Sequence, residues 1–314
     1  MLRLRVACPE GQTDAALRIL RDHVGATHVV LLRGAVVEPP GDLITADIAR
    51  EAVDEILWRL CELDIDHEGG ITLEQIDTSL SDAADRAEEA APGDGSDAIV
   101  WEELISRTGE ESKPSWTFQA FLTIACLLAA VGVATDSPVT IVGAMVVGPE
   151  FGPLAAIAVG LVARRWELVK RAAIALGIGF PVAMVITAVL SKVGDLTGLF
   201  DADTLFTKNH QVDFVYQVGI YSLIVALLAG AAGMLSMTSA KSAALVGVFI
   251  SVTTVPAAGY AALAAVLGKW DRAGYSLLQL LINLIGIVVA AALVLLIRRR
   301  KTTDGVTTRP LSSG

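Results

Sequence analysis

The chain has 314 residues, a formal net charge of −10 and three cysteines, and 54% of its residues are hydrophobic. The acidic balance and the lack of a basic, aromatic stripe argue against a nucleic-acid partner. The cysteines form no CxxC pair that would predict a disulfide framework. Apolar residues concentrate in 116–297, whereas 1–115 is rich in charge. This division predicts a soluble region followed by a membrane region.

Residues 1–80 predict a small α+β domain. In the first strand Leu2, Leu4 and Val6 alternate with Arg3 and Arg5, which is typical of a half-buried strand. Later patterns predict helices near 13–24 and 47–60, and strands at 29–32, 43–48 and 71–76. The resulting β-α-β-β-α-β order is that of a ferredoxin-like domain. By analogy of fold alone, we expect a cytoplasmic regulatory or oligomerisation module.

Residues 81–115 connect the two regions. Ser81–Asp97 is rich in Ala, Asp, Glu and Gly, which predicts a flexible acidic linker. The apolar residues of 99–105, together with Trp101, predict a short amphipathic helix. Trp116 then marks the membrane interface, where an aromatic ring lies at headgroup depth.

Six apolar segments follow within 116–297, and a basic tail occupies 298–314. Each segment is long enough to cross roughly 30 Å of hydrocarbon as a helix. They are Trp116–Ala134, Pro138–Ala163, Leu168–Leu190, Phe214–Met234, Ala243–Leu267 and Tyr275–Ile297. The sequence therefore predicts an α-helical polytopic membrane domain of about six transmembrane helices in the lipid bilayer.

The basic residues predict the orientation of these helices. With the N-terminus inside, ten Lys and Arg residues flank the helices on the cytoplasmic side and four on the outer side. The inner ten are Lys113, Arg164, Arg165, Lys170, Arg171, Lys241, Arg298, Arg299, Arg300 and Lys301, and the outer four are Lys192, Lys208, Lys269 and Arg272. By the positive-inside rule we expect a multi-pass protein of the cell inner (plasma) membrane with both termini in the cytoplasm.

The second and fifth segments resemble each other at a shift of about one hundred residues. Each has an early glycine, Gly143 or Gly247, then a proline, Pro153 or Pro256, and a basic-Trp-acidic triplet at its end. Three crossings per unit give two units of opposite topology, which is the 3+3 inverted repeat of many transporters. The alternative is a chance alignment of helices rich in Ala, Val and Gly.

The clearest local feature is the run Gly148-Pro149-Glu150-Phe151-Gly152-Pro153 inside the second segment. Two prolines remove backbone donors and two glycines lower helix propensity, so the helix is predicted to break or kink there. Glu150 is the one acidic residue well inside any of the six segments. A carboxylate at this depth indicates a functional site, such as a proton-binding group. The alternative is a structural carboxyl that caps the second half-helix.

Hydroxyl groups of the fifth segment lie at a depth similar to that of Glu150. They belong to Ser251, Thr253 and Thr254, and Pro256 frees backbone carbonyls nearby. The sequence predicts a polar pocket formed by Glu150, Thr253 and Thr254. The alternative is that each hydroxyl bonds back to its own helix.

Asn283 adds an amide to the sixth segment, one turn from Gln279. In a membrane such amides either line an interior pathway or hold helices together. We include Asn283 among the candidate residues for transport or binding.

The chain has no catalytic constellation. It has neither a GxxxxGK[ST] phosphate loop nor an HExxH motif, and Gly177-Ile178-Gly179 lies in an apolar helix rather than after a strand. The four histidines have no ligand spacing. We therefore expect no enzyme activity, no cofactor and no metal site.

The run GAMVVGPEFGP at 143–153, followed by Val255-Pro256, resembles the domain-of-unknown-function family 389 (DUF389). Its members are uncharacterised prokaryotic hydrophobic membrane proteins. The resemblance covers roughly Trp116–Ile297, and the N-terminal domain is similar to regions found in some members. In the family pattern the position of Glu150 is often apolar, which implies that a carboxylate is not needed for an activity common to all members.

Two functions are compatible with these patterns. The first is a transporter or channel for a small solute or ion, with a cytoplasmic domain that senses a ligand or assembles a homo-oligomer. The second is a non-transporting, membrane-anchored scaffold or ligand sensor, which the long acidic linker favours. An open, hydrated cavity at the membrane midplane would favour the first function. A tightly packed membrane region, with a pocket only in the soluble domain, would favour the second.

Overall fold

The computed structural model describes residues 1–76, 78–91, 98–198, 219–239 and 254–307. The chain divides into two compact units, one formed mainly by Met1–Leu104 and the other by Ile105–Met237 and Lys241–Ile297. The predicted site residues Ser251 and Thr253 lie outside the described residues, as does the first part of the fifth predicted segment, 243–253.

The first unit contains a four-stranded antiparallel sheet with strand order β2-β3-β1-β4. Its elements are β1 (Leu2–Cys8), α1 (Thr13–Asp22), β2 (Ala26–Val36), β3 (Gly41–Ile48), α2 (Val53–Cys61), α3 (Ile65–Glu68) and β4 (Gly70–Gln75). The β-α-β-β-α-β order is the one predicted from the sequence. The prediction that Asp47 begins the second helix is wrong, because β3 continues through Ile48 and pairs with β1 along its whole length.

The core of this unit lies between one face of the sheet and the helices. Leu4 and Val6 of β1 and Ile44 of β3 are fully buried, together with Ile56 and Leu60 of α2. Side chains of a strand alternate between its faces. Burial of the apolar set therefore leaves Arg3 and Arg5 on the opposite face.

The prediction of a flexible linker is wrong for Asp82–Ala90, which form helix α4. The Ser81 hydroxyl accepts hydrogen bonds from the backbone N–H groups of Ala83 and Ala84, so it caps the helix. Ala84 and Ala87 are buried along one side of α4. A cap and a narrow alanine face are enough to order an acidic segment that composition alone marks as flexible. The predicted amphipathic helix is present as α5 (Trp101–Glu111).

The second unit is a bundle of apolar helices. They are α6 (Trp116–Ala134), α7 (Pro138–Val147), α8 (Phe151–Val162), α9 (Trp166–Leu196), α10 (Ile220–Thr238), α11 (Thr254–Val266) and α12 (Trp270–Thr307). Four of them, α6, α9, α10 and α12, are long and apolar enough to cross a membrane. The pair α7 and α8 passes the same test together but is bent by 51°, and α11 is a shorter apolar helix. These helices indicate a membrane-embedded protein.

The helices α6 and α9 pack against each other. Gln119 of α6 donates from Nε2 to the carbonyl of Gly179 in α9 at 3.1 Å, and Arg171 of α9 donates from Nη2 to the carbonyl of Gly109 in α5 at 2.8 Å. The bent pair α7 and α8 has the length and composition of a broken span or of a re-entrant loop.

Candidate functional site

The junction of α7 and α8 is a true break in the helix. Pro149 restricts the preceding residue to extended backbone, and Gly148 has φ −64° and ψ 127°, which ends α7. Glu150 returns to helical angles and is the N-cap of α8. Pro153 lies in the first turn of α8, where the missing N–H of a proline is tolerated. The predicted break is therefore present, and Pro149 is the residue that causes it.

The side chain of Glu150 is buried in the bundle, with 5% of its surface exposed. Its Oε1 accepts a hydrogen bond of 2.6 Å from the hydroxyl of Thr254, the first residue of α11. Its Oε2 is also buried and has no hydrogen-bond partner among the described residues. A carboxyl group with one satisfied and one unsatisfied oxygen is an unusual feature of a packed interior.

Two glycines shape the backbone around this carboxyl group. A Cβ atom on Gly148 would lie 2.3 Å from Glu150 Oε2 and 2.9 Å from Val255 Cγ2. A Cβ atom on Gly152 would lie 2.7 Å from the Cβ of Glu111 in α5. The break is therefore packed on both sides, by its own carboxyl group on one side and by the end of α5 on the other.

A cavity of about 450 Å³ lies beside the break. Its walls come from the end of α5, the start of α6 and the backbone of Gly148, Pro149 and Gly152. The neighbours of Glu150 line this cavity, but Glu150 is not among the described residues that do so. The carboxyl group thus contacts Thr254, and the cavity is lined by its neighbours in the chain.

The charged rim of the cavity is formed by two ion pairs within α5 and the residues that follow it. Arg107 Nε lies 3.3 Å from Glu111 Oε1, and Lys113 Nζ lies 2.5 Å from Glu110 Oε1. The hydrogen bond from Lys113 holds the pKa of Glu110 below its ordinary value. Sequence reasoning missed this rim, although the spacing of opposite charges by three and four residues is a helical signal.

The remaining candidate residues are not all part of this site. Pro256 is buried within the first turn of α11, close in the chain to Thr254. Asn283 is buried and accepts a hydrogen bond of 3.0 Å from the Ser222 hydroxyl, which links α12 to α10. That bond corresponds to the helix-joining alternative for Asn283. The hydrogen bond between Glu150 and Thr254 does not include Asn283.

Comparison with known proteins identifies the segment that holds the break and its partner helix. Residues 145–289 match the family model DUF389, a domain of unknown function. The resemblance predicted from the sequence is thereby confirmed. The matched segment includes Glu150 and Thr254, whereas Met1–Leu104 of the first compact unit and the α5 wall of the cavity lie outside it.

The chain is also similar to the uncharacterized protein MJ0678 of Methanocaldococcus jannaschii. The two are 24% identical over 204 residues, which make up 65% of this chain and 61% of that protein. The chain therefore spans about 61% of the length of the curated relative that it matches. No solved structure matches the chain.

Proposed function

We propose that this membrane protein is a transporter or channel for a small solute or ion. The observation that carries the proposal is the buried pair of Glu150 and Thr254 at a broken helix. Broken backbone at membrane depth is tolerated only where protein buries it or where it faces water. An ionisable side chain inside a membrane is rare and is a marker of a functional site. The adjoining cavity supplies the open space that such a function needs.

The proposal includes a 3+3 inverted repeat, with α6 to α9 as one unit and α10 to α12 in the other. The helix bounds support it. The helices α6 and α10 begin at 116 and 220 and end at 134 and 238, a shift of 104 residues at both ends. The helices α9 and α12 begin at Trp166 and Trp270, with the same shift.

Contacts within each half support the repeat further. The N–H of Arg165 bonds to the carbonyl of Gly160 at 2.8 Å, and the N–H of Lys269 bonds to that of Ala264 at 2.9 Å. These two turns are also 104 residues apart. A third correspondence has the same shift of 104 residues. Phe118 packs against Gly179 in the first half, and Ser222 forms a hydrogen bond with Asn283 in the second half.

The repeat relates Glu150 to the residues around its partner. Pro153 and Pro256 are 103 residues apart and the ends of α8 and α11 are 104 apart, so Glu150 corresponds to Thr253 or Thr254. Corresponding segments of two repeats touch each other only near the axis that relates them. In this proposal, the bond between Glu150 and Thr254 marks the substrate site, because inverted-repeat transporters bind their substrates where the two repeats meet.

The proposed orientation has both termini in the cytoplasm and the first unit as a cytoplasmic regulatory or oligomerisation domain. The excess of basic residues on one side supports this orientation. Exposed tryptophans at the helix starts, Trp116, Trp166 and Trp270, support placement of these ends at the interfaces. Localisation to the plasma membrane and assembly into a homo-oligomer stay predictions.

The test is solid-supported-membrane electrophysiology on the purified protein in liposomes, with pH jumps, common ions and small metabolites. We expect charge movement in the wild type and its loss in Glu150→Gln. Glu167→Gln is the matched control, because Glu167 is exposed and paired with Lys170 at 3.0 Å. Silence of the wild type under every condition would contradict transport and favour the membrane-anchored scaffold.

A further inference from the structure

The oxygen atoms of Glu150 have different surroundings. Oε1 accepts the Thr254 hydroxyl, whereas Oε2 is buried without a hydrogen-bond partner among the described residues. An ionised carboxylate can only accept hydrogen bonds, and a buried charge needs a partner to offset its lost hydration. Among the residues that the structure describes, none donates a hydrogen bond to Oε2. A neutral carboxyl group, with its proton on Oε2, meets this environment at lower cost.

The space next to Oε2 does not suit a metal ion. Gly148 lies so close that a Cβ atom there would be 2.3 Å from Oε2, and a methyl group of Val255 borders the same space. Hard cations take about six or more oxygen ligands. No group of three or more His, Cys, Asp or Glu side chains in the described part of the chain is placed to hold a metal ion. A proton needs only the one oxygen.

The other titratable groups near the break do not compensate a charge on Glu150. Cys126 of α6 is the described titratable group that interacts electrostatically with the carboxyl group, and it is a buried thiol. From α11 the contact is the uncharged hydroxyl of Thr254. The end of α5 presents Glu111, but to Gly152 on the cavity side. None of these groups carries a positive charge that would offset an ionised Glu150, and the Thr254 hydroxyl donates to Oε1 in either protonation state.

The cavity offers a way out for this proton. It touches Gly148, Pro149, Phe151 and Gly152, the neighbours of Glu150 in the chain. Release of the proton requires the carboxyl group to turn from Thr254 towards the cavity, and Gly148 has extended backbone between the two helical segments at this point. In the cavity the O–H bond would break, a water molecule would take the proton, and the carboxylate would remain hydrated until it is protonated again.

We propose that Glu150 is the proton carrier of this protein, held neutral against Thr254 in the occluded state and discharged into the cavity beside the break. The coupling or transported ion is thus H⁺. This inference rests on the proposed transport function. It assigns Thr254 the role of a positioning residue, since its hydroxyl fixes the carboxyl group through Oε1.

The first experiment is infrared difference spectroscopy of the full chain in lipid nanodiscs at neutral pH. We expect a C=O stretch of a protonated carboxylic acid that disappears in Glu150→Gln and remains in Glu167→Gln. Thr254→Val should move this stretch to higher frequency, because the carbonyl loses a hydrogen bond, and Thr254→Ser should restore it. A wild type without the stretch, or a stretch that survives in Glu150→Gln, would overturn the inference.

The second experiment separates this inference from the proposed function. Liposomes that hold a pH-sensitive dye are given an inward proton gradient, and the internal pH is followed for the wild type and the same variants. We expect proton flux that falls by about a hundredfold in Glu150→Gln. Transport currents that persist in Glu150→Gln without proton flux would overturn the proton role and leave transport standing. A wild type that moves neither charge nor protons would contradict transport itself.

Discussion

Gly148 has the tightest surroundings of any residue at the helix break. It lies between the carboxyl group of Glu150 and the side chain of Val255, and a Cβ atom would overlap both. The backbone of Gly148 is not itself unusual, with φ −64° and ψ 127°. The requirement for glycine therefore comes from space and not from conformation.

Replacement of Gly148 by alanine is expected to destabilise the bundle. Forcing a methyl group into a packed site costs about 1–3 kcal/mol. We expect a lower midpoint of thermal unfolding for Gly148→Ala in detergent, followed by tryptophan fluorescence. Gly143→Ala is the control in the same helix, since a Cβ atom there has no atom within 4 Å and alanine favours the helix. Equal midpoints for the two variants would contradict the packing around Glu150.

Asp54 is a residue of the first unit whose titration differs from that of an ordinary carboxyl. Its Oδ1 accepts the N–H of Trp101 at 3.2 Å, at the first residue of α5. Burial raises the pKa of Asp54 to about 6, Glu102 adds to the rise, and the Trp101 N–H opposes it. The folded state therefore prefers the protonated form.

The pH dependence of stability follows from this raised pKa. The stabilisation from protonated Asp54 is complete below the unfolded-state pKa and is lost as pH rises through about 6. Between pH 4 and pH 7 the wild type should lose about 1–2 kcal/mol of its free energy of unfolding. Asp54→Asn keeps the oxygen acceptor but does not titrate, so this variant should not show the loss. Hydrogen exchange of β1 and α2 in the full chain, corrected for the intrinsic exchange rate at each pH, measures this pH dependence of stability. Glu62→Gln, at an exposed position that ends α2, should leave the slope unchanged.

At the scale of elements, α4 is tied to the sheet by a row of polar groups. Asp47 of β3 accepts from Arg3 Nε at 2.9 Å and lies 2.9 Å from His28 Nδ1. The other ring nitrogen of His28 lies 3.0 Å from the Ser81 hydroxyl that caps α4. Burial of Asp47 is outweighed by the bonds from Arg3 and His28, so the pKa of Asp47 is below its ordinary value. The row links β1, β2 and β3 to the first turn of α4.

Loss of the Ser81 hydroxyl should release α4. Ser81→Ala removes the acceptor for two backbone N–H groups, at a cost of about 1 kcal/mol. We expect faster hydrogen exchange in 82–90 and little change in β1. Ser106→Ala, at an exposed position of α5, is the control. Unchanged exchange in 82–90 would mean that alanine packing, and not the cap, holds α4.

At the scale of the whole molecule, the membrane helices form two groups that differ in burial. The long helices α6, α9, α10 and α12 keep a large exposed apolar surface. The short helices α8 and α11 are almost completely buried. The close approach of α11 to α6 depends on a small residue, because a Cβ atom on Gly259 of α11 would lie 2.6 Å from the carbonyl oxygen of Cys126 in α6. The helices α8 and α11 thus form the interior of the bundle, where a transport site would lie.

The native cysteines allow a test of the proposed orientation. Cys61 is exposed, whereas Cys8 and Cys126 are buried. We expect a membrane-impermeant maleimide to label Cys61 only after cells are permeabilised, because the first unit is proposed to be cytoplasmic. Burial raises the pKa of the Cys61 thiol, and Asp66 adds to the rise, so labelling is best at alkaline pH.

A matched variant places a thiol on the side of the membrane that is proposed to be the outer one. Thr197→Cys in a Cys61→Ser background puts the thiol at an exposed position just beyond the end of α9. It should react in intact cells. Labelling of Cys61 in intact cells, together with protection at position 197, would reverse the orientation.

Local chemistry in the sequence was enough to predict several features. The alternation in β1 and the spacing of apolar residues in α2 predicted the β-α-β-β-α-β order, and the uncharged, mainly apolar run of α6 predicted its bounds, Trp116–Ala134. The break at Gly148–Glu150 was predictable because a proline without an N–H acts on its immediate neighbours. Each of these features depends on residues within one or two turns of each other.

The contact between Glu150 and Thr254, the cavity and the order of α4 depend on residues that are far apart in the chain. Tertiary structure therefore decided these features. The depth of Glu150 and Thr254 could be inferred from the repeat, but only the packing of α11 against α6, α7 and α9 brings their oxygen atoms to 2.6 Å. The cavity needs the end of α5 beside the break, and the order of α4 needs His28 and Ser81 to meet. The sequence alone determined where the helices break. The packing of distant helices determined the partner of the carboxyl group and the walls of the cavity, because contact between distant residues is not encoded in local periodicity.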